Sequence, residues 1–354
     1  MISLVLVSYR SASLAAEAIA SMRAAASALG EDLEAVTVVN SCEADEAAAL
    51  APLSDRILAP ETNRGFAGGL NLGIAQAKGD VLALANPDIA VSEAALAALL
   101  DALPKREPAA VGPVFFWDDA ATLLLPAAEE PRPAELVRRL LAASGERGGR
   151  VFQRDLARAR REAARARSGE TARATGLTGA LVLALRTTLD AVGPFDEGYP
   201  LYYEENDWQR RLRALGGVLL RAGAARVVHR FNQSARFEAR SAEWFARSER
   251  RYFLSHFGAR GARALDALAA SRAAERRLPE LHGPLRFRAG ASAVVLSPYP
   301  WFRPFAYAEV APSATSWDVP ADVLAGLEGL WCLRAVDGLG ETLAEGRLLV
   351  SPPS

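Results

Sequence analysis

The chain has 354 residues, of which 51% are hydrophobic and 23% are charged, a balance that is typical of globular proteins and excludes a disordered chain. Its 41 basic and 42 acidic residues leave a net charge of −1, which argues against a general nucleic-acid binder because such proteins need a large cationic surface. Two cysteines do not make a disulfide framework, so the composition favours the reducing cytosol. No apolar stretch approaches the roughly 18 to 20 residues of a membrane span.

The first third of the chain alternates predicted strands with predicted helices. The predicted strands are Ser3–Ser8, Glu34–Asn40, Asp55–Ala59 and Val81–Ala85, and the predicted helices are Leu14–Ala26, Phe66–Ala77 and Glu93–Leu103. This alternation predicts an α/β fold with a mainly parallel central sheet flanked by helices. Ligands bind such sheets beyond the carboxyl ends of the strands. The positions to inspect are therefore those directly after each strand: Ser8–Ser11, Asn40–Asp45, Pro60–Gly69 and Asn86–Asp88.

The rest of the chain changes character twice. Residues 118–172 contain several prolines and a basic helix over Arg154–Arg167. Regular patterning then returns and predicts the strands Thr178–Leu185, Val218–Leu220 and Ala225–His229 and the helices Glu204–Ala214, Ala242–Phe257 and Ala262–Arg277. From Pro284 onward the pattern is β-like, so we predict a boundary between a domain over residues 1–283 and a small β-rich C-terminal domain over residues 284–354.

A glycine-rich segment, Asn63–Gly73, follows the third predicted strand and opens a helix. Its backbone amides, with Arg64 beside them, could meet a phosphate. The alternative is a tight turn followed by glycines that let the helix pack closely on the sheet. The segment lacks the Gly-x-Gly-x-x-Gly pattern and the chain lacks a Walker A motif, which disfavours a nicotinamide dehydrogenase and a P-loop nucleotidase.

Two groups of acidic and amide side chains are candidates for chemistry. Asn86 and Asp88 follow the fourth predicted strand, where both oxygens can face Mg²⁺ or Mn²⁺, although a simple Asn-Pro-Asp turn also explains them. Glu204, Glu205 and Asp207 fall in the first turn of a predicted helix, behind two tyrosines. Helix capping explains one or two such acids, whereas adjacent acids behind an aromatic wall also suit a general base that takes a proton from a substrate hydroxyl.

Together these segments resemble the family 2 glycosyltransferases, which have the A-type nucleotide-sugar-binding fold, and especially their rhamnosyltransferase-like branch. The matching pieces occur in the family's order: Leu4–Tyr9, Asn63–Asn71, Asn86–Asp88, Gly193–Glu197, Tyr203–Asp207, His229 with Ser234, and His256–Gly258. The resemblance implies a nucleotide-binding half over residues 1–117, a variable insert over 118–172 and an acceptor-binding, catalytic half over 173–283.

The resemblance also implies an activity, namely inverting, metal-assisted transfer of a hexosyl or deoxyhexosyl group from a nucleoside-diphosphate sugar to a hydroxyl of a glycan or lipid-linked acceptor. Asp88 matches the family's metal and diphosphate motif, Asn86 stands in place of its first acid, and His229 lies where some relatives have a third ligand. The implied cofactor is Mg²⁺ or Mn²⁺. Glu205 matches the usual general base, with Glu204 and Asp207 as alternatives. The implied donor-binding residues are Ser8, Tyr9, Asn40, Arg64, Gly65, Gly69, Asn86 and Asp88.

The likeness to the family is incomplete where the second predicted strand ends. Members usually have an Asp there that helps to hold the nucleotide base, whereas this chain has Asn40-Ser41-Cys42, with Asp45 as the substitute. Together with Asn86, this departure leaves open a catalytically inactive relative that binds carbohydrate or nucleotide. A sugar nucleotidylyltransferase is disfavoured, because Ser8–Ser13 contains no glycine after the first strand.

Two further features leave alternatives open. Residues 284–354 hold Trp301, Trp317 and Trp331, which either stack on sugar rings or fill the core of a small β domain. The basic helix either touches an anionic membrane surface or presents a solvated face. We expect a bacterial, cytoplasmic protein of cell-envelope polysaccharide synthesis without a nucleic-acid partner, and we leave open a peripheral contact with the inner face of the cell membrane.

Overall fold

The computed structural model describes residues 1–142, 145–230, 241–270 and 276–351. The first elements are β1 (Ile2–Ser8), α1 (Ala12–Ala28), β2 (Leu33–Val39), α2 (Ala44–Leu50), a 3₁₀ turn (Ala51–Leu53), β3 (Arg56–Leu58), α3 (Gly65–Gln76), β4 (Val81–Ala85), β5 (Ile89–Ala90), α4 (Glu93–Ala102) and β6 (Ala109–Phe116). Next come β7 (Leu123–Leu124), α5 (Pro133–Ala142), α6 (Gly145–Ser168), β8 (Thr171–Arg173), β9 (Leu181–Leu185), α7 (Arg186–Val192), α8 (Glu204–Ala214) and β10 (Val218–His229). The last are α9 (Ser241–Ala270), β11 (Leu285–Arg286), β12 (Ala293–Ser297), β13 (Ala306–Glu309), β14 (Ser316–Trp317), α10 (Ala321–Ala325), β15 (Gly329–Val336) and β16 (Thr342–Val350).

The chain forms two compact units that interleave along the sequence. The first unit comprises the described residues within Met1–Val114, Ala127–Pro131 and Arg165–Gly258, and the second comprises those within Phe115–Pro126, Arg132–Ala164 and Ala259–Ser354. All the predicted catalytic, donor-binding and metal-binding residues belong to the first unit. Ser234, which the resemblance also included, lies outside the described residues.

The N-terminal part of the first unit is a parallel sheet. β1 pairs in parallel with β2 on one side and with β4 on the other, and β2 pairs in parallel with β3. Every residue of β1 is buried, as is typical of a central parallel strand whose two faces are both covered. The carboxyl ends of β1, β2 and β4 therefore lie along one edge of the sheet.

Beyond β4 the sheet becomes mixed. β9 pairs antiparallel with β4, and β6 pairs antiparallel with β9. β10 pairs antiparallel with β8 and with the short strand β5. The pairing with β5 brings the last residue of β10, His229, to the segment that directly follows β4.

Glycines in α3 let this helix lie close to β1. A β-carbon added to Gly69 would lie 2.9 Å from Val7 Cγ1, and one added to Gly73 would lie 2.5 Å from Val5 Cγ1. Both distances are shorter than real β-carbons adopt, so larger residues would push the helix away from the sheet. These two glycines therefore serve close packing.

The second unit is rich in β-strands. β15 lies between β16 and β12, and β13 joins β12 to β7, all in antiparallel pairs. β11 and β14 form a separate two-stranded sheet. The side chains of Phe302, Phe305 and Tyr307 are buried and fill the core of this unit. The predicted α/β class, with a mainly parallel central sheet and a β-rich C-terminal part, is confirmed.

The basic helix α6 is held to the C-terminal strands within the second unit. Arg160 donates to the carbonyl oxygens of Asp337 and Gly338 at 2.6 and 2.8 Å. This arginine therefore has a structural contact, and the predicted solvated face does not extend over the whole helix. None of the described helices is long and apolar enough to cross a membrane.

The structure differs from the prediction in two elements and agrees with it at a third place. The predicted strands Val218–Leu220 and Ala225–His229 are one continuous strand, β10. The break predicted between the helices Ala242–Phe257 and Ala262–Arg277 is present as a kink within α9, where Gly258 has non-helical φ and ψ angles of 54° and −139°. The strand β6 was not predicted, because Gly112 and Pro113 interrupt its sequence pattern, yet every residue of it is buried.

Candidate active site

Asp88 and His229 meet where β4 ends. His229 lies opposite Ile89 in the β5–β10 pair. Its Nε2 atom is 3.2 Å from Asp88 Oδ1, and the two side chains are only 7% and 4% exposed. The Asp88 Oδ1 atom is buried and accepts no hydrogen bond from a described residue. A buried oxygen of this kind is costly unless a ligand binds it, and a carboxylate beside an imidazole nitrogen suits a divalent cation.

Asn86 lies beside the beginning of β9. Its backbone amide donates to the carbonyl oxygen of Ala180 at 2.9 Å. Gly179, one residue earlier, packs against Glu205, because a β-carbon added to Gly179 would lie 3.2 Å from Glu205 Cγ. The end of β4 and the first turn of α8 are therefore joined through the turn that precedes β9.

The helix α8 begins at a strained corner of the backbone. Tyr202 and Tyr203 have φ angles of 66° and 71°, a left-handed conformation that costs about 1–3 kcal/mol per non-glycine residue. The Tyr203 hydroxyl donates to Glu249 Oε1 at 2.6 Å, and its ring packs against three aromatic rings of α9. These contacts hold the corner in place and fix where the first two residues of α8 lie.

Those first two residues, Glu204 and Glu205, are a coupled pair of carboxyl groups. Burial, followed by the negative charge of Glu205, raises the pKa of Glu204 well above its usual value. Burial also raises the pKa of Glu205, although hydrogen bonds from backbone amides and from Asn206 oppose this effect. The Oε2 atom of each carboxyl group is buried without a hydrogen-bond partner among the described residues. Both pKa values are therefore raised, and the pair resists carrying two negative charges at once.

The phenol of Tyr202 lies close to both groups of acids. Burial raises the pKa of Tyr202, and the negative charges of Glu204, Glu205 and Asp88 raise it further. Charges have such an effect only over short distances in partly buried surroundings. The structure therefore brings Asp88 and the glutamate pair into one neighbourhood, although they are far apart in the sequence.

Asp207, the third acid of the motif, has partners for both of its carboxylate oxygens. Its Oδ1 atom lies 2.9 Å from His256 Nε2, and its Oδ2 atom accepts a hydrogen bond from Arg211 Nε at 2.9 Å. The contact with His256 connects α8 to α9, whereas the contact with Arg211 lies within α8. Among the three predicted bases, Asp207 is thus the one whose oxygens are already engaged.

Ser8 contacts an acid that the sequence analysis missed, Glu46. Ser8 Oγ donates to Glu46 Oε1 at 2.5 Å, and the backbone amides of Arg10 and Ser11 donate to the same carboxylate at 3.0 and 2.9 Å. The Ser41 hydroxyl donates to it as well. Burial alone would raise the pKa of Glu46, but these hydrogen bonds outweigh burial and lower it. One buried carboxylate therefore ties together the loops that follow β1 and β2.

Asn40 holds the glycine-rich loop in position. Its Nδ2 atom donates to Asn63 Oδ1 at 2.9 Å and to the Gly65 carbonyl oxygen at 3.0 Å, and its Oδ1 atom accepts from the Arg64 amide at 2.9 Å. Gly65 has a φ of 71°, and a β-carbon there would lie 2.7 Å from the Pro200 carbonyl oxygen. Only glycine fits this position.

The other predicted donor-binding side chains lie near the same edge of the sheet. The Tyr9 ring is half-buried, with the Arg10 guanidinium 5.5 Å from its centroid. The Arg64 guanidinium is 42% exposed and lies 3.3 Å from Glu197 Oε2. Asp45, the suggested substitute for the family's base-binding Asp, is exposed and makes no side-chain hydrogen bond to a described residue.

Among the described residues, Asp88 and His229 are in contact and suit a divalent cation, and Asn86 lies two residues before Asp88. No group of three or more His, Cys, Asp or Glu side chains with metal-binding geometry occurs in the described part of the chain. Asp88 and His229 are the pair in contact, and Asn86 lies at the same strand end. Mg²⁺ commonly takes one or two protein ligands and completes its shell with water and phosphate oxygens. The residues present therefore fit a cation that is shared with a diphosphate.

Comparison with protein families gives one match. Residues 3–169, just under half of the chain, match the model described as Glycosyl transferase family 2. The match confirms the resemblance to this family that the order of the motifs indicated. The segment includes the strand ends with Ser8, Asn40 and Asp88, whereas the acidic motif before α8 and His229 lie beyond it. No match is found among curated proteins.

Several solved structures are similar to this chain at low identity. Mannosyltransferase PcManGT from Pyrobaculum calidifontis, in complex with GDP-Man and Mn²⁺, is 14% identical with a TM-score of 0.45, covering 77% of this chain and 76% of that chain. GalNAc-T7 with UDP, GalNAc and Mn²⁺ is 13% identical with a TM-score of 0.43, covering 99% and 71%. S. aureus TarS 1–349 is 14% identical with a TM-score of 0.41, covering 72% of each chain. These scores are too low for us to draw a conclusion from the likenesses.

Proposed function

We propose that this protein is an inverting glycosyltransferase that moves a sugar from a nucleoside-diphosphate sugar to a hydroxyl of a glycan or lipid-linked acceptor. The observation that supports this most directly is the gathering of Asp88 and the Glu204–Glu205 pair around the Tyr202 phenol. Both groups have buried carboxylate oxygens without a hydrogen-bond partner among the described residues. In this proposal, the oxygen of Asp88 binds a cation that arrives with the donor, and the oxygens of the glutamate pair bind a hydroxyl group of the acceptor.

The donor diphosphate binds at the end of β4 in this proposal. Asp88, His229 and Asn86 would hold Mg²⁺ or Mn²⁺, which would supply positive charge to offset the negative charge of the diphosphate. The loops after β1 and β2, tied together by Glu46, and the glycine-rich loop, positioned by Asn40, form the remaining walls. Ser8, Tyr9, Arg64, Gly65 and Gly69 belong to these walls, and Arg64 has an exposed guanidinium that can turn towards a phosphate.

Glu205 is the general base of the transfer step. The acceptor oxygen attacks the anomeric carbon on the face opposite the diphosphate, a new C–O bond forms, and the bond to the diphosphate oxygen breaks. The nucleoside diphosphate leaves with the electron pair, the hydroxyl proton passes to Glu205, and the configuration at the anomeric carbon inverts. Burial and the proximity of Glu204 keep the pair from carrying two negative charges.

The finer assignments rest on the resemblance to the family. The proposed sugar is a hexose or deoxyhexose, as in the rhamnosyltransferase-like branch, and the proposed setting is bacterial cell-envelope polysaccharide synthesis in the cytoplasm. A peripheral contact with the inner face of the membrane would bring a lipid-linked acceptor within reach. The domain boundary at residues 283 and 284 also stays a prediction.

A thermal-shift screen of nucleoside-diphosphate sugars, with and without Mn²⁺, tests the donor site. We expect one donor class to raise the melting temperature of the wild type when Mn²⁺ is present, because a ligand at about 100 times its Kd stabilises a protein by about 2.7 kcal/mol. Asp88→Asn should lose this shift. Asp80→Asn, an exposed acid directly before β4, is the control and should keep it.

The same screen separates the enzyme from its alternative. The replacement of an acid by Asn86 favours a binding protein without catalysis as the second candidate. That candidate would be supported if the wild type binds a donor and transfers its sugar to no acceptor, while Asp88→Asn loses the donor binding. If no nucleoside-diphosphate sugar stabilises the wild type, the donor site is refuted for both.

A further inference from the structure

The second unit contains a cavity that the proposed function does not use. Its volume is about 790 Å³, within the range of about 300–1,000 Å³ that is usual for small-molecule sites. One wall comes from α6, with Arg150, Phe152 and Gln153, and the other comes from β15 and the beginning of β16, with Arg334, Glu341 and Thr342. None of these residues belongs to the site around Asp88 and Glu205.

Arg334 is a buried charge that is only partly neutralised. Its side chain is 7% exposed, and its guanidinium lies 4.0 and 4.5 Å from the ring centroids of Phe302 and Phe152. Its carboxylate partner among the described residues, Glu345, lies 3.0 Å away and is also bound by both of its oxygens to Arg276, at 2.6 and 2.7 Å. Burial lowers the pKa of Arg334 to about 10 in spite of Glu345, as expected of a cation without full compensation.

The donors of Arg334 are not all used. Its Nε and Nη2 atoms contact Glu345 Oε2, whereas its Nη1 atom has no hydrogen-bond partner among the described residues. That atom is also not among the fully buried polar atoms that lack a partner, so it keeps some exposure to solvent. Since the side chain lines the cavity, the remaining donor of the guanidinium is available to a ligand there.

The opposite wall adds a second arginine, and this one has no ion-pair partner among the described residues. Arg150 is exposed and makes no ion pair or hydrogen bond with any described residue. Glu341, also exposed, is the one acid among the described residues that line the cavity, and it stands against two arginines there. Gln153, Glu341 and Thr342 add neutral and acidic oxygens that accept hydrogen bonds from hydroxyl groups.

We propose that this cavity binds a sugar that carries an oxyanion, either a phosphate or a carboxylate, with the oxyanion held between Arg150 and Arg334. The planar guanidinium matches both oxyanions in geometry. The hydroxyl groups of the sugar bond to Thr342, Gln153 and Glu341. This site is independent of the proposed function and remains testable if the transfer activity is refuted.

Calorimetric titration with glucose 1-phosphate, glucuronate and glucose in a phosphate-free, low-salt buffer tests the site. We expect the two charged sugars to bind the wild type and glucose to bind far more weakly. The stronger of the two charged probes identifies the preferred oxyanion. Arg150→Gln should weaken binding about tenfold, because it removes one hydrogen bond to a charged group, and its exposed position leaves folding unaffected. Glu341→Gln should strengthen binding, because it removes the repelling charge.

Arg147→Gln is the matched control, since Arg147 lies on the same helix and is exposed but does not line the cavity. It should bind both charged sugars like the wild type. Binding of these sugars at the donor site would be changed by neither Arg150→Gln nor Arg147→Gln. The proposal is overturned if neither charged sugar binds, if glucose binds as tightly as they do, or if Arg147→Gln weakens binding as much as Arg150→Gln.

Discussion

At the scale of single residues, the structure distinguishes the three acids of the motif before α8 by their hydrogen-bond partners. Asp207 is engaged by His256 and Arg211, whereas Glu204 and Glu205 each keep a buried oxygen without a partner among the described residues. The sequence identified the motif because two aromatic residues precede adjacent acids. The residue pattern alone could not rank the acids, because their surroundings depend on segments that are remote in sequence, such as Gly179 beside Glu205 and His256 beside Asp207.

The coupled glutamates lead to a prediction about pH dependence. Because burial raises the pKa of Glu205, turnover should rise with pH through a value above the usual 4.5 of a glutamate. Glu204→Gln removes one of the two carboxyl groups that share the region. The acidic limb of the kcat profile should therefore move to lower pH, and turnover at the optimum should fall by less than the 100-fold or so expected for loss of the base itself.

The measurement is kcat against pH for the wild type and Glu204→Gln. Glu243→Gln, an exposed acid in the first turn of α9, is the control and should leave the profile unchanged. An acidic limb that stays in place in Glu204→Gln would show that the two carboxyl groups titrate independently.

At the scale of elements, strands and helices with strong periodic patterns were predictable and interrupted ones were not. The predicted β4 and α8 have the observed bounds, and Ser92 caps α4, with its Oγ atom accepting from the Ala95 amide at 3.2 Å. β10 continues through Gly223, where the sequence indicated a break, because β8 and β5 pair with it on either side. Pairing partners from elsewhere in the chain override a local breaker.

The helix α2 was missed altogether, and with it Glu46. This helix has only 7 residues, too short for periodicity to be informative. In the sequence, Glu46 looks like an ordinary acidic residue in the first turn of a helix. Its actual role, accepting hydrogen bonds from two separate loops, depends on the parallel pairing of β1 with β2.

Glu46 gives a prediction about the stability of these loops. Glu46→Gln should lower the free energy of unfolding at neutral pH by about 2 kcal/mol, because several hydrogen bonds to a charged acceptor are weakened. The pKa of Glu46 is lowered in the folded state from its usual 4.5, so its contribution is present above that value and is lost as the pH falls through the lowered pKa. The difference between wild type and variant should therefore shrink in acid.

Urea denaturation of the wild type and Glu46→Gln at neutral and acidic pH measures this effect. Asp45→Asn changes the neighbouring acid, which is exposed, and should leave stability unchanged at both pH values. A Glu46→Gln variant as stable as the wild type at neutral pH would contradict a supporting role for this carboxylate.

At the scale of the whole molecule, the alternation of strands and helices predicted the parallel part of the sheet but not its full topology. Sequence order does not reveal that β9 enters antiparallel beside β4. Nor does it reveal that residues 132–164 fold with the C-terminal strands in one compact unit. Both depend on contacts between distant segments, which periodicity does not record.

The candidate site depends on the same kind of contact. Position after a strand was enough to indicate Asp88, since parallel strands present their carboxyl ends at one edge. The pairing of β5 with β10 then adds His229, and the strained corner before α8 adds the glutamates. The resemblance to a family supplied these residues as a set, and the structure supplies the contact between Asp88 and His229.

The central claim is that Asp88 and Glu205 serve one site with different tasks, and the kinetics of Glu205→Gln test it most directly. Donor affinity and turnover would be measured for this variant, for Asp88→Asn and for the control Glu243→Gln. We predict that Glu205→Gln binds the donor like the wild type and loses about 100- to 10,000-fold in kcat, while Asp88→Asn loses donor affinity. Wild-type turnover in Glu205→Gln would contradict the claim.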